Sequence, residues 1–269
     1  MTLAKFRKVV AGILISFYKV FSTLFFDIRT VINKWRGLPY FFQTLWEYIR
    51  KNRNQSVFKI QLKSFQPVLH ERYEEAGTAK GHYFWQDLWA FEFLKSAKVT
   101  EVVDVGSRID GYIAHLLPTT QVTYVDLRTI RKFHHNFLPK QGSILDMPFS
   151  SGTVSNTSCL HVLEHIGLGR YGDPVDPNGH IKAIDELKRI TAPDGRVIIG
   201  VPVGIERLVF NAHRVFSPES IVKWFKPFVL EEFSLIDDSG EGVARNASLD
   251  QGSKCKYGCG LFVFVNHER

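Results

Sequence analysis

From residue 99 onward, apolar runs of strand length alternate with helical patterns, and this alternation limits the fold more than any other feature of the chain. "TEVVDVG" (100–106) reads as a first strand and "DGYIAHLLP" (110–118) as a short helix stopped by Pro118. "QVTYVDLR" (121–128) reads as a second strand, and "GSILDMPF" (142–149) holds a short third. "SNTSCLHVLEHIG" (155–167) starts as a strand and turns helical. "GHIKAIDELKRITAPDG" (179–195) is an amphipathic helix, and "RVIIGVPVG" (196–204) a buried strand. "FSPESIVKWF", "VLEEFSLIDD" and "CGLFVFVNH" add a helix and two strands. Such alternation predicts an α/β fold, a mostly parallel seven-stranded sheet with helices on both faces.

In such a sheet, ligands bind beyond the carboxyl ends of the strands, where the strand order reverses. "VVDVGSRIDGY" (102–112) begins as a buried strand and ends as a turn. Gly106 lets backbone approach a ligand without Cβ interference, and Ser107 offers a hydroxyl and an amide. The second strand ends in Asp126, whose carboxylate can accept both hydroxyl hydrogens of a ribose. The third region ends in Asp146 and Met147, a carboxylate beside an apolar side chain, suited to the amino group and face of an adenine.

The order DVGS, YVD, LDMPF, LHVLEH and PDGRVIIGVP resembles class I S-adenosylmethionine-dependent methyltransferases over roughly residues 80–265. "GHYFWQDLW", "LHVLEHIGLGRYGDPVDPNGH", "VPVGIERLVFNAHRVFSP" and "YGCGLF" are similar, more narrowly, to an uncharacterised methyltransferase-like group found among bacterial sugar and polysaccharide genes. The resemblance implies a Rossmann-like methyltransferase fold and S-adenosylmethionine as cofactor, with Asp104, Gly106, Ser107 and Gly111 in the first motif, Asp126 on the ribose and Asp146 with Met147 at the adenine. His161 then lies where the cofactor's methionine part meets the acceptor. The usual loop is Asp-x-Gly-x-Gly-x-Gly. Here Arg108 and Ile109 replace its central part and only Gly111 follows.

Methyl transfer to an oxygen calls for a base that is neutral near pH 7, which His supplies. His165, His161 and His213 are the catalytic candidates, in that order. The loop "GLGRYGDPVDPNGH" (167–180) carries four Gly and two Pro and reads as an acceptor loop with Asp173 and Asp176. Arg214, beside His213, could hold a phosphate or carboxylate on a small or glycan-type acceptor. "HVLEH" (161–165) also matches an H-x-x-E-H zinc pattern with Glu164 as base, but it sits at a strand end and lacks a third ligand. Cys255 and Cys259 are spaced C-x3-C with no second pair, so no metal site is expected. With Cys159 they make an odd, low cysteine count that suits a reducing, cytoplasmic compartment. Two rival functions share this pattern: an inactive methyltransferase-fold scaffold at a membrane, favoured by the thinned glycine loop, and a nucleotide-sugar-binding enzyme.

The net charge of +7 is unevenly placed: residues 1–60 hold 11 Lys/Arg and 2 Asp/Glu, and the rest of the chain holds 23 and 25. A catalytic domain that binds nucleic acid would carry its own basic face, so nucleic acid is not an expected partner. The basic N-terminus instead predicts contact with anionic lipid or an acidic partner helix. "VVAGILISFYKVFSTLFF" (9–26) is 18 residues with one charge, near the minimum for a membrane span. Its apolar stripe continues through Ile28, Val31 and Trp35, so residues 3–36 also fit a helix lying on a membrane or a partner. Pro39 is expected to break this helix before a second short one, "YFFQTLWEYIRKNR". The basic run 50–56 is expected to link an anchoring segment, 1–56, to a methyltransferase-like domain, 57–269.

Overall fold

The computed structural model describes residues 28–52, 67–73, 77 and 79–267. The chain divides into two compact units, Met1–Thr78 and Ala79–Arg269. The expected boundary at residue 56 therefore falls inside the first unit. The apolar stretch 9–26, most of the proposed linker and residues 57–66 lie outside the described residues.

In the first unit, α1 runs unbroken over Ile28–Lys51 with Pro39 inside it, where two helices were expected. Proline removes one backbone donor, and the packing around this turn compensates. The Tyr73 hydroxyl donates to the Arg36 carbonyl (3.0 Å). The Arg72 guanidinium lies 3.6 Å from the centre of the Tyr40 ring. A Cβ on Gly37 would sit 1.7 Å from the Leu69 carbonyl oxygen, so only glycine admits the segment that covers the helix here. Ile32, Trp35, Phe42, Trp46 and Ile49 are exposed, and their spacing places all five on one face of a 3.6-residue helix. Among the described residues no helix is long and apolar enough to cross a membrane.

The second unit is a seven-stranded sheet of order β3-β2-β1-β4-β5-β9-β8. Its strands are β1 (Glu101–Val105), β2 (Gln121–Asp126), β3 (Phe137–Gln141), β4 (Val154–Leu160), β5 (Thr191–Val203), β8 (Val229–Ile236) and β9 (Gly258–Val265). A small hairpin, β6 (Arg207–Val209) and β7 (His213–Val215), follows β5. The sheet is mixed: β9 pairs antiparallel with both β5 and β8, while the other pairings are parallel. The third strand is not 142–149 but "FLPKQ", five residues earlier. It is an edge strand, the position that tolerates Pro139.

Alternate residues of the central strands feed two cores, as both-face burial demands. Val197, Ile199, Phe262 and Phe264 pack under α4 (Gly179–Ile190) and α5 (Pro218–Phe225). Ile198, Leu261 and Val263 pack under α2 (His82–Ser96) and a π-helical turn, Ile109–Ile113, that leads into α3 (Ala114–Leu116). The last helix, α6 (Leu249–Ser253), starts at a Ser248–Gln251 capping box.

The chain crosses from β3 back to the far side of β1, so strand order reverses between β1 and β4. These two pair only through Val103↔Thr157 and Asp104↔Ser158. Asp104 closes the junction. Its Oδ1 accepts the Ser107 amide (3.0 Å), and its Oδ2 accepts the Ser107 and Ser158 hydroxyls (2.7 Å each). The Ser107 Oγ in turn accepts the Leu160 amide (3.2 Å). Burial drives the Asp104 carboxyl up to about 7, and the three donors only partly offset that. A native carboxyl raised above its unfolded value of 3.8 stabilises the fold below that value, and the contribution is lost as pH rises through about 7. The difference in unfolding free energy between wild type and Asp104→Asn, followed by urea denaturation, should therefore change between pH 4 and 8 by on the order of 4 kcal/mol. The wild type should lose stability relative to the variant as pH rises. A flat difference would mean that Asp104 titrates normally.

Candidate functional site

Two clefts open at the carboxyl ends of β1, β2 and β4. The first, of about 700 Å³, is lined by Gly106, Asp126, Arg128, Ser143, His161 and Asp173, among others. The second, of about 950 Å³, is lined by Ser107, Glu164, Arg170, His213, Tyr257 and Tyr83, with others. Gly106, Arg128, His161, His165 and Tyr171 belong to both, so the two histidines stand at the boundary.

The predicted cofactor residues divide by role. Gly106 lies at the mouth of the first cleft with φ 67°, and a Cβ there would come within 3.2 Å of Val162. Asp126 is at the end of β2, as expected, but Arg128 grips it. The Arg128 Nε donates to Oδ1 (2.9 Å), Nη2 to Oδ2 (2.8 Å) and the backbone amide to Oδ1 (2.8 Å). Burial alone would raise the Asp126 carboxyl; the guanidinium holds it below its usual range.

Four cofactor predictions need correction. Asp104 is fully buried behind the cleft and staples the loop instead of meeting a ligand. Gly111 lies against Asp87, where a Cβ would be 2.1 Å from Oδ2, so its role is packing. Asp146 is exposed and lines neither cleft. Met147 is in the core below the sheet, its amide bound to Glu186 Oε1 (2.6 Å). The neighbouring Ser143, Ile144 and Leu145 form that wall of the first cleft. The Ser107 hydroxyl is consumed by Asp104 and Leu160, which leaves only its surface in the second cleft.

The segment after β4 is a chain of turns where a helix was expected. His161 takes φ 55°, a left-handed conformation that is strained for a residue with a Cβ and recurs at functional sites. Its Nδ1 is 2.6 Å from Oε1 of Glu164. Glu164 is buried, and its Oε2 has no hydrogen-bond partner among the described residues. Burial opposes both charges of this pair, but their mutual attraction prevails. The imidazole is pushed well above its ordinary value and the carboxyl held below its own. His165 donates from Nδ1 to the Ala212 carbonyl (2.6 Å), which leaves Nε2 as its basic atom, 3.6 Å from Glu164. Burial lowers the pKa of His165 and that of His213. His213 reaches only the second cleft.

The predicted acceptor residues mostly build the loop. The Asp173 carboxylate accepts the Gly167 amide (2.6 Å), though it also faces the first cleft. Asp176 pairs with Lys182 (2.7 Å) outside both clefts. Arg214 donates to the Ile166 (2.7 Å) and Pro177 (3.3 Å) carbonyls and lines neither cleft, so it braces the loop instead of meeting an anion. Sequence reasoning missed Arg128, Tyr171 and Arg170. The Tyr171 ring has the Arg128 and Arg170 guanidiniums 5.4 and 5.1 Å from its centre. Arg128 alone left a sequence signal, two residues beyond the strand-end acid. H-x-x-E-H does not form a two-histidine zinc pair; His161 groups instead with His82 and Cys259.

Residues 152–243 match the model of a family described as Caenorhabditis protein of unknown function. No curated protein matches the chain. Among solved structures the chain is similar to S-adenosylmethionine-dependent methyltransferases. One is the N-methyltransferase NodS from Bradyrhizobium japonicum WM9 in complex with S-adenosylhomocysteine. It is 16% identical, over 69% of this chain and 88% of that one, with a TM-score of 0.45. Another is the 1,6-didemethyltoxoflavin-N1-methyltransferase from Burkholderia thailandensis. It is 15% identical, over 68% of this chain and 82% of that one, with a TM-score of 0.49.

Proposed function

We propose that the second unit binds S-adenosylmethionine in the first cleft and transfers its methyl group to an oxygen of a small or glycan-type acceptor in the second. The observation that carries this reading is the placement of Gly106 and Asp126 around one cleft at the reversal of strand order. The residues present fit the cofactor. Gly106 admits close approach, and Ser143, Ile144 and Leu145 offer a mostly apolar wall for a base. Asp126 Oδ1 is filled by two Arg128 donors, but Oδ2 takes Arg128 Nη2 (2.8 Å) and only a long contact from the Tyr124 hydroxyl (3.5 Å), so it keeps room for a ribose hydroxyl. The bound sulfonium would supply the reactive methyl; the protein orients the acceptor and excludes water. His165, its basic Nε2 at the boundary of the clefts, would take the acceptor's proton.

One observation favours the scaffold reading: the Arg128 clamp on both Asp126 oxygens. Calorimetry with S-adenosylhomocysteine separates the two. Micromolar binding that falls about 10–100-fold in Asp126→Ala, the loss of hydrogen bonds to a charged group, is the expected result. No binding by the folded chain would favour the scaffold.

His165→Gln should reduce turnover by at least about 100-fold while the cofactor affinity stays within a few-fold. Because burial lowers the His165 pKa, the wild-type rate should rise with pH through a midpoint below 6.5 and then level off. An equal loss of cofactor affinity would remove His165 as the base.

We further propose that the first unit holds the chain on the cytoplasmic face of a membrane. Its basic composition and the exposed apolar face of α1 support this reading. Full-length chain should sediment with phosphatidylserine-containing vesicles, less so at high salt, and Trp35→Ala with Trp46→Ala should weaken binding at least about tenfold. Equal binding to neutral vesicles, or none, would count against it.

A further inference from the structure

We propose that His82, His161 and Cys259 form a binding site for one divalent cation of the zinc class, at the inner edge of the second cleft. Their ligand atoms lie within 4.8 Å of one another. His82 opens α2, His161 directly follows β4, and Cys259 lies near the start of the antiparallel strand β9, so three separate parts of the chain converge. The His161 Nε2 to Cys259 Sγ distance is 3.6 Å. Two ligands of a tetrahedral zinc, at about 2.0 and 2.3 Å from the metal, are separated by about 3.6 Å.

The surrounding groups select the right tautomers. His161 points Nδ1 at Glu164, so a metal that displaced the Nε2 proton would meet that nitrogen on the side of Cys259, and a carboxylate behind a histidine is the usual outer partner of a metal ligand. The His82 Nε2 faces the Tyr257 carbonyl (3.2 Å), an acceptor only, so its Nδ1 keeps the lone pair. Charge balances as well. A divalent ion is neutralised by the Cys259 thiolate and the Glu164 carboxylate, an arrangement a buried site requires. The His82 and His161 rings are stacked, with planes 9° apart and centres 5.3 Å apart. Parallel rings direct their lone pairs along parallel lines, so binding requires the His82 ring to swing. That ring is only half-buried, at the first residue of its helix, whereas His161 and Cys259 are fixed by the sheet. His161 and Tyr257 also line the second cleft, so the ion would border the space assigned to the acceptor.

Cobalt(II) tests the site without reference to methyl transfer. Full-length chain, stripped with chelator and titrated with cobalt, should develop the near-ultraviolet thiolate-to-cobalt band and the visible bands of a tetrahedral ion, saturating at one equivalent. Zinc should bleach them. The charge-transfer band should vanish in Cys259→Ser and persist in Cys255→Ser. His82→Ala, at a half-exposed helix start, keeps the fold testable and should weaken cobalt binding at least as much as Glu164→Gln, whose loss as an outer partner predicts about 10–100-fold. A folded chain with no charge-transfer band, one whose band survives Cys259→Ser, or one indifferent to His82→Ala would overturn the proposal. Such results would leave the cofactor reading untouched.

Discussion

The buried Asp104 carboxylate is the interaction on which the site depends. Strands β1 and β4 share only two register pairs before the sheet parts. One of those pairs is Asp104 with Ser158, and the same carboxylate turns the chain back through Ser107. The Ser107 hydroxyl then takes the Leu160 amide, and the Ser107 carbonyl takes the Tyr124 hydroxyl (3.0 Å). Three strand ends are thus fixed around one buried charge site. The low dielectric strengthens each of these bonds and makes the loss of any partner costly.

From that junction the rest of the site follows. Gly106 takes its left-handed turn (φ 67°) without the strain a Cβ would bring there, and without the tight 3.2 Å contact a Cβ would make with Val162. His161 takes a similar conformation without that freedom, held by its amide on the Gly200 carbonyl (2.7 Å) and its ring on Glu164. The glycine-rich loop beyond it is shaped by internal polar contacts: Asp173 gathers the Gly167 amide, and Arg214 caps carbonyls on both sides. Charged residues that looked available for a substrate are spent on satisfying buried backbone, which would otherwise cost more than their exposure gains.

The sequence made the β/α order and both-face burial legible, because the period of apolar residues depends only on local geometry. It placed Gly106, Asp126 and His161 at the ends of β1, β2 and β4, where the structure has them, while His165 lies in the turns beyond β4 where a helix was expected. It misplaced β3, since a five-residue edge strand containing Pro139 carries little hydrophobic signal, and it expected a break at Pro39 that tertiary contacts overrode. It could not separate Asp146 from Ser143 as a cleft residue, because a shift of a few positions in an irregular segment turns a side chain from cleft to solvent. Cys259 looked inert beside Cys255. Only the antiparallel return of β9 next to β5 brings it to His161, 98 positions earlier.

By itself the sequence determined the layered α/β architecture, the uneven charge and the strand-end positions of glycine, carboxylate and imidazole. These follow from composition and short-range periodicity. The tertiary structure decided which of the polar groups face a cleft and which brace the fold. That choice depends on burial and on partners distant in the chain, as with Arg214 on the 166–177 loop and Glu164 behind His161. Hydrogen-bond satisfaction is a property of the packed molecule, and no local pattern encodes it.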